Sequence, residues 1–128
     1  GEPVISEEIA KQVLTVLHRV TGSEGTASKA RVPGFSVGGK TGTVHKVGLS
    51  GYLPDQYLAL FVGVAPMDNP RYVTAVVVDQ PKGDSYGGGA AAAPVYARIT
   101  DGVLGLRNQR PEVEGDAPAQ LASSEVGR

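Results

Sequence analysis

The 128-residue chain has no cysteine, no tryptophan, one methionine and two histidines. Without cysteine there is no disulfide framework, no thiol nucleophile and no cysteine-based zinc site. Two histidines, His18 and His45, give a transition-metal site little to build on, so no metal or cofactor is expected. Charge of one sign is also lacking: 12 Lys and Arg offset 13 Asp and Glu, for a net charge of −1. With no basic patch, nucleic acid is not an expected partner. No apolar run reaches about 18 residues and no signal peptide is present. This stretch is therefore expected neither to span a membrane nor to direct its own export. Aromatic residues make up only 5%, so the core they can build is small. The length fits one domain or less, and there is no internal repeat.

What the sequence has in quantity is glycine (18) and proline (9), and these punctuate it into elements. Ser6 is a good N-cap, with Glu7 and Glu8 in the first turn, where a helix dipole favours acids. Ile9, Val13, Val16, Leu17 and Val20 form one apolar face, and Gly22 ends that helix. A loop follows to residue 34. Strands are expected at about 35–45, 56–65 and 71–79. Pro66 to Pro70 is a compact turn, so the second and third strands read as an antiparallel hairpin. Val62, Val64, Val73, Ala75 and Val77 are its expected core contacts. Residues 80–89 read as a Gly-rich loop, and a second helix covers about 90–106, with Pro94 tolerable only in its first turn. From residue 107 on, Pro, Glu, Ala and Ser dominate, which predicts a disordered tail over 107–128.

The segment Gly38 to Thr43 admits two incompatible readings. Gly34 to Thr41, GFSVGGKT, spells a complete phosphate loop, G-x-x-x-x-G-K-[ST]. Such a loop must open a helix, whose N-terminus holds the phosphate charge. The residues after Lys40 include Gly42, Gly48, Gly51 and Pro54 and carry no apolar stripe of helical period. A strand fits better. A Gly-rich edge strand lets a ligand or another backbone approach closely. Lys40 with the alternate hydroxyls Thr41 and Thr43 then offers a cation and two donors to a carboxylate. In this reading Lys40-Thr41-Gly42 is the third element of the set S-x-x-K, S-x-N, K-T-G, found in penicillin-binding proteins and serine β-lactamases.

Other pieces follow in order: Gly25-Thr26-Ala27, Val32 to Phe35, Gly38 to Thr43, Gly63 to Pro66, Asp68 to Arg71, Tyr86 to Gly88 and Ala93 to Tyr96. In this series the chain resembles the C-terminal part of the transpeptidase domain of class B penicillin-binding proteins. The match is to the septal, division-specific D,D-transpeptidase type (penicillin-binding protein 3), from residue 1 to about 106. The resemblance implies an α+β fold: the C-terminal portion of a penicillin-binding/serine β-lactamase-like fold. Its antiparallel sheet, about three strands here, would be flanked by an N-terminal and a C-terminal helix.

It also implies roles. Lys40 and the backbone N–H of Thr43, an oxyanion donor, would be catalytic. Thr41, Gly42, Thr43 and Tyr86 would bind substrate. The nucleophile is not in this chain, because none of its serines has a Lys three residues on and no S-x-N occurs. The implied activity is peptidoglycan crosslinking through a serine acyl-enzyme that β-lactams also form. The implied partners are the N-terminal remainder of the domain with S-x-x-K and S-x-N, stem peptides, β-lactams and membrane proteins of the division machinery. The implied place is the periplasmic face of the bacterial inner membrane. A serine β-lactamase, a β-lactam sensor of the same fold and the phosphate-loop NTPase are the alternatives. Ser85 stands where the family has a first Tyr before Tyr86. His45 reads as an exposed strand-end side chain, His18 as a helix-end one and Asp79 as a strand-end cap.

Overall fold

A computed structural model describes residues 2–83 and 85–106. The tail expected to be disordered, 107–128, lies outside the described residues. The order is α1 (Glu7–Val20), β1 (Gly38–Gly48), β2 (Gly51–Ala65), β3 (Tyr72–Asp79), a short α2 (Gly88–Ala91) and α3 (Ala93–Leu106). The strands form one antiparallel sheet in the order β1-β2-β3. This is the α+β layout expected from the sequence.

Local chemistry sets the element ends. Ser6 Oγ accepts the Ile9 N–H at 3.3 Å and caps α1. Thr21, not Gly22, closes the helix, its N–H bonding back to His18 and Arg19. Pro94 is the second residue of α3, where its missing N–H leaves no gap in the helix ladder. The expected helix at 90–106 is thus two pieces, with α2 beginning at Gly88. β1 starts at Gly38, later than the expected 35, and β3 closely matches its expected span, but β1 and β2 run further toward each other because they also form a hairpin whose tip is Leu49-Ser50. Glycines at 48 and 51 conceal this pairing in the sequence. A register shift after His45 takes up the extra residues of β2 near Asp55, which adopts φ 57°.

Pairing fixes which residues share a face, since directly opposed residues point the same way. Thr41, Phe61 and Val76 lie in one row; Lys40, Val62 and Ala75 lie in the next, on the opposite face. The first face is the core side. Ala59, Phe61, Ala65 and Val76 are buried there with Ala27, Ala30, Val32, Ala92, Ala93, Tyr96 and Leu104. Phe61 and Tyr96 meet edge to face at 4.9 Å. A Cβ on Gly63 would stand 2.4 Å from the Tyr96 ring, so only glycine lets α3 settle here.

The expected core valines lie on the other face. Val62, Val73 and Val77 are 43%, 74% and 58% exposed. Ala75 is also exposed, and Val64 is half-buried. The physical reason is that FVGVA (61–65) and AVVV (75–78) are apolar at every position, as in a sheet covered on both sides. Alternation then cannot choose a face, and a shift of one residue exchanges them.

Candidate active site

Lys40 is the third residue of the eleven-residue strand β1, and no helix begins near it. The phosphate-loop reading fails on that point. Among the described residues, β1 is an edge strand, paired only with β2. One side of its backbone is therefore open to a ligand strand.

The strand divides its polar groups. Lys40 is exposed on the valine face, and its Nζ donates to the Thr41 carbonyl at 2.7 Å. Thr41 and Thr43 point to the core-side face, at the rim of the helical layer. The Thr43 Oγ1 accepts the Gly88 N–H at 3.1 Å. The Thr41 Oγ1 lies 3.4 Å from Thr26 Oγ1. Gly88 is pressed against the middle of β1: a Cβ there would stand 2.1 Å from the Leu60 carbonyl and 2.6 Å from the Gly42 carbonyl. A close fit to the strand therefore requires glycine at 88. Gly42 itself has ordinary clearance from Leu60, at 3.4 Å.

Beyond Thr43 the same face carries a row of rings. Tyr86 stacks on Tyr57 at 3.9 Å and 14°. His45 meets Tyr57 edge-on at 4.3 Å and Tyr52 at 5.7 Å. Tyr86 beside it, together with partial burial, raises the Tyr57 phenol above its ordinary pKa. Tyr86 is half-exposed, at 47%. His45 is exposed as expected, but lies within β1 and packs on rings instead of ending the strand. Asp79 ends β3 and receives Lys46 Nζ at 2.8 Å.

Thr26, Tyr57 and Gly88 join these residues although no site role was expected of them from the sequence. A signal for Tyr57 was available: Thr41, Thr43 and His45 alternate on one face, and a paired strand must set side chains opposite them. Thr26 comes from the loop after α1 and Gly88 from the start of α2, and only the tertiary fold brings them here.

Two cavities lie at the other end of β1. One of about 470 Å³ is lined by His18, Thr21, Arg31, Phe35 and Val37. The second, of about 400 Å³, is lined by Lys11, Leu14, His18, Ser36 and Met67. Neither of these two cavities includes Lys40, Thr41 or Thr43. Among the described residues no three His, Asp or Glu side chains gather as a metal site would require.

The family model of the penicillin-binding protein transpeptidase domain matches residues 1–101. The chain belongs to that transpeptidase family. Relatives include the probable peptidoglycan D,D-transpeptidase PenA of Neisseria flavescens, 37% identical over 87% of this chain and 28% of the relative. Stage V sporulation protein D of Bacillus subtilis is 44% identical over 86% of this chain and 16% of its own length. Peptidoglycan D,D-transpeptidase FtsI of Escherichia coli K12 is 38% identical over 88% of this chain and 19% of its own. The solved transpeptidase domain of Burkholderia pseudomallei penicillin-binding protein 3 superposes with a TM-score of 0.79 at 43% identity. That match covers 88% of this chain and 34% of the solved one. The transpeptidase-family chain thus spans under a third of the length of these curated relatives. No described helix is long and apolar enough to cross a membrane.

Proposed function

We propose that this chain is the K-T-G part of a peptidoglycan D,D-transpeptidase domain covering residues 1–106, whose remainder supplies the nucleophilic serine. The observation that carries the reading is the open-edge strand bearing Lys40 to Thr43. Its two hydroxyls are met by Thr26 and Gly88, in a chain that matches the family model over residues 1–101. The relatives named D,D-transpeptidases favour a synthase over a β-lactamase or sensor.

In this reading the serine Oγ of the remainder attacks the penultimate D-Ala carbonyl of a stem peptide. The C–N bond to the terminal D-Ala breaks, and that residue leaves with the proton. The amine of a second stem peptide then displaces the serine and forms the crosslink. β-Lactams acylate the same serine and stay. Thr41 and Thr43 hydroxyls hold the substrate carboxylate. The Thr43 N–H is one of two oxyanion donors, and loss of such a donor typically costs about 10²–10³ in rate. Lys40 keeps the site electropositive and helps poise the serine for proton transfer. Gly42 lets the acyl group approach the strand. Tyr86 walls the mouth.

The valine face supports the partner assignment. Exposed Val62, Val73 and Val77 make an apolar surface next to Lys40. The S-x-x-K and S-x-N segments of the remainder pack against that face, and further strands pair with the open edge of β3. In the whole protein, stem peptides and β-lactams are the ligands and division-machinery membrane proteins the partners. The site lies on the periplasmic face of the inner membrane.

The test is Lys40→Ala in the complete domain. Acylation by a fluorescent penicillin is expected to fall at least about a hundredfold, with the thermal melt unchanged. A folded variant acylated at the wild-type rate would remove Lys40 from the site.

A further inference from the structure

Thr41 and Thr43 each meet one polar neighbour, and the two neighbours come from different parts of the chain. A backbone N–H can only donate, so Thr43 Oγ1 is the acceptor for Gly88 N–H at 3.1 Å. That contact occupies a lone pair and leaves the Thr43 proton for another acceptor. Between Thr26 and Thr41, 3.4 Å apart, either hydroxyl can donate. An anion changes this. Once a carboxylate takes the Thr41 proton, only Thr26 can donate in that pair.

Thr26 is held where this requires it. Its neighbour Ala27 is fully buried, and the Ala27 N–H bonds the Val20 carbonyl at the end of α1 at 3.0 Å. Gly89 lies so close that a Cβ on it would stand 2.0 Å from the Thr26 carbonyl and 3.6 Å from Thr41 Cγ2. The loop after α1, the start of α2 and β1 thus interlock at this point. Thr26 itself stays exposed, so its hydroxyl is free to reorient.

We propose that Thr26 is a positioning residue that donates to Thr41 Oγ1 when a carboxylate-bearing ligand binds, so that Thr41 and Thr43 turn their protons to one carboxylate. The inference rests on the transpeptidase reading above. Donation from behind also strengthens the bond in front, because chained hydrogen bonds polarise one another and the front bond is to an anion.

The test compares the complete wild-type domain with Thr26→Val, Thr26→Ala and Thr26→Ser. Each is acylated by a penicillin as the free acid and as its methyl ester, with binding separated from acylation by saturation kinetics. Thr26→Val and Thr26→Ala should weaken binding of the free acid about fivefold. Ester acylation should not change, and Thr26→Ser should restore the free acid. Unchanged binding of the free acid by both hydroxyl-less variants overturns the proposal. So does an equal loss with both ligands, which would make Thr26 a structural residue only. A wild-type domain that neither ligand acylates overturns the transpeptidase reading, and this proposal with it.

Discussion

Tyr96 is the largest side chain buried beneath the sheet, and its hydroxyl has no hydrogen-bond partner. Thr100 Oγ1, one turn on, is also buried and unpartnered. Burial pushes the Tyr96 phenol above its ordinary pKa. A phenol raised in the fold stabilises fully below the unfolded value of about 10 and loses that contribution as pH rises through the folded value. Alkaline unfolding of the complete domain should therefore start near pH 10, and Tyr96→Phe should blunt it. The same variant should be neutral or stabilising by up to about 1 kcal/mol at pH 7, because it removes an unsatisfied buried group. Melts at pH 7 and pH 10.5 check both points. Tyr96→Ala, in contrast, should cost about 3–5 kcal/mol. Single residues were also where the sequence was most legible. Ser6 as a cap and Lys40 on a strand follow from local chemistry alone. The partners of Thr41 and Thr43 do not, since Thr26 and Gly88 lie 15 and 45 residues away in sequence.

Among elements, the joint between α1 and β1 sets where the K-T-G strand begins. The Val37 carbonyl accepts Thr21 Oγ1 at 2.7 Å and His18 Nδ1 at 2.9 Å. A carbonyl only accepts, so His18 carries a proton on Nδ1. Met67 N–H bonds the Ser36 carbonyl at 2.9 Å, tying the β2–β3 turn to the same place. Gly38 completes the fit, because a Cβ there would stand 2.9 Å from the His18 backbone nitrogen. Thr21 is 3% exposed, so Thr21→Val should cost about 1–3 kcal/mol in a denaturant melt. Thr21→Ser should recover most of it. His18→Asn, which can keep a donor near the Nδ1 position, should cost less than His18→Leu. The sequence showed α1 but not this joint, because helix periodicity says nothing about which carbonyl a helix end will meet. The β1–β2 hairpin stayed hidden for a related reason: its glycines read as loop until the register pairs them.

For the whole molecule, the main lesson is the face that alternation misassigned. In the reading proposed above, the remainder of the domain covers the second apolar side of the sheet. The solved relative, of which this chain matches 34%, is long enough to supply that cover. Val62→Lys separates the two situations. In this chain alone, where Val62 is 43% exposed, the change should alter stability by under about 0.5 kcal/mol. In the complete domain it would bury an unpaired charge and should cost more than about 3 kcal/mol by thermal or denaturant melt. Equal effects in both would mean that the face stays open.

The most direct measurement mixes this 13.2 kDa chain with a separately expressed remainder of the domain and labels the mixture with fluorescent penicillin. A denaturing gel then shows which polypeptide carries the label. The account predicts label on the larger companion, dependent on this chain and lost with Lys40→Ala. Label on the 13.2 kDa chain itself, or on the companion in its absence, would contradict the division of the site proposed here.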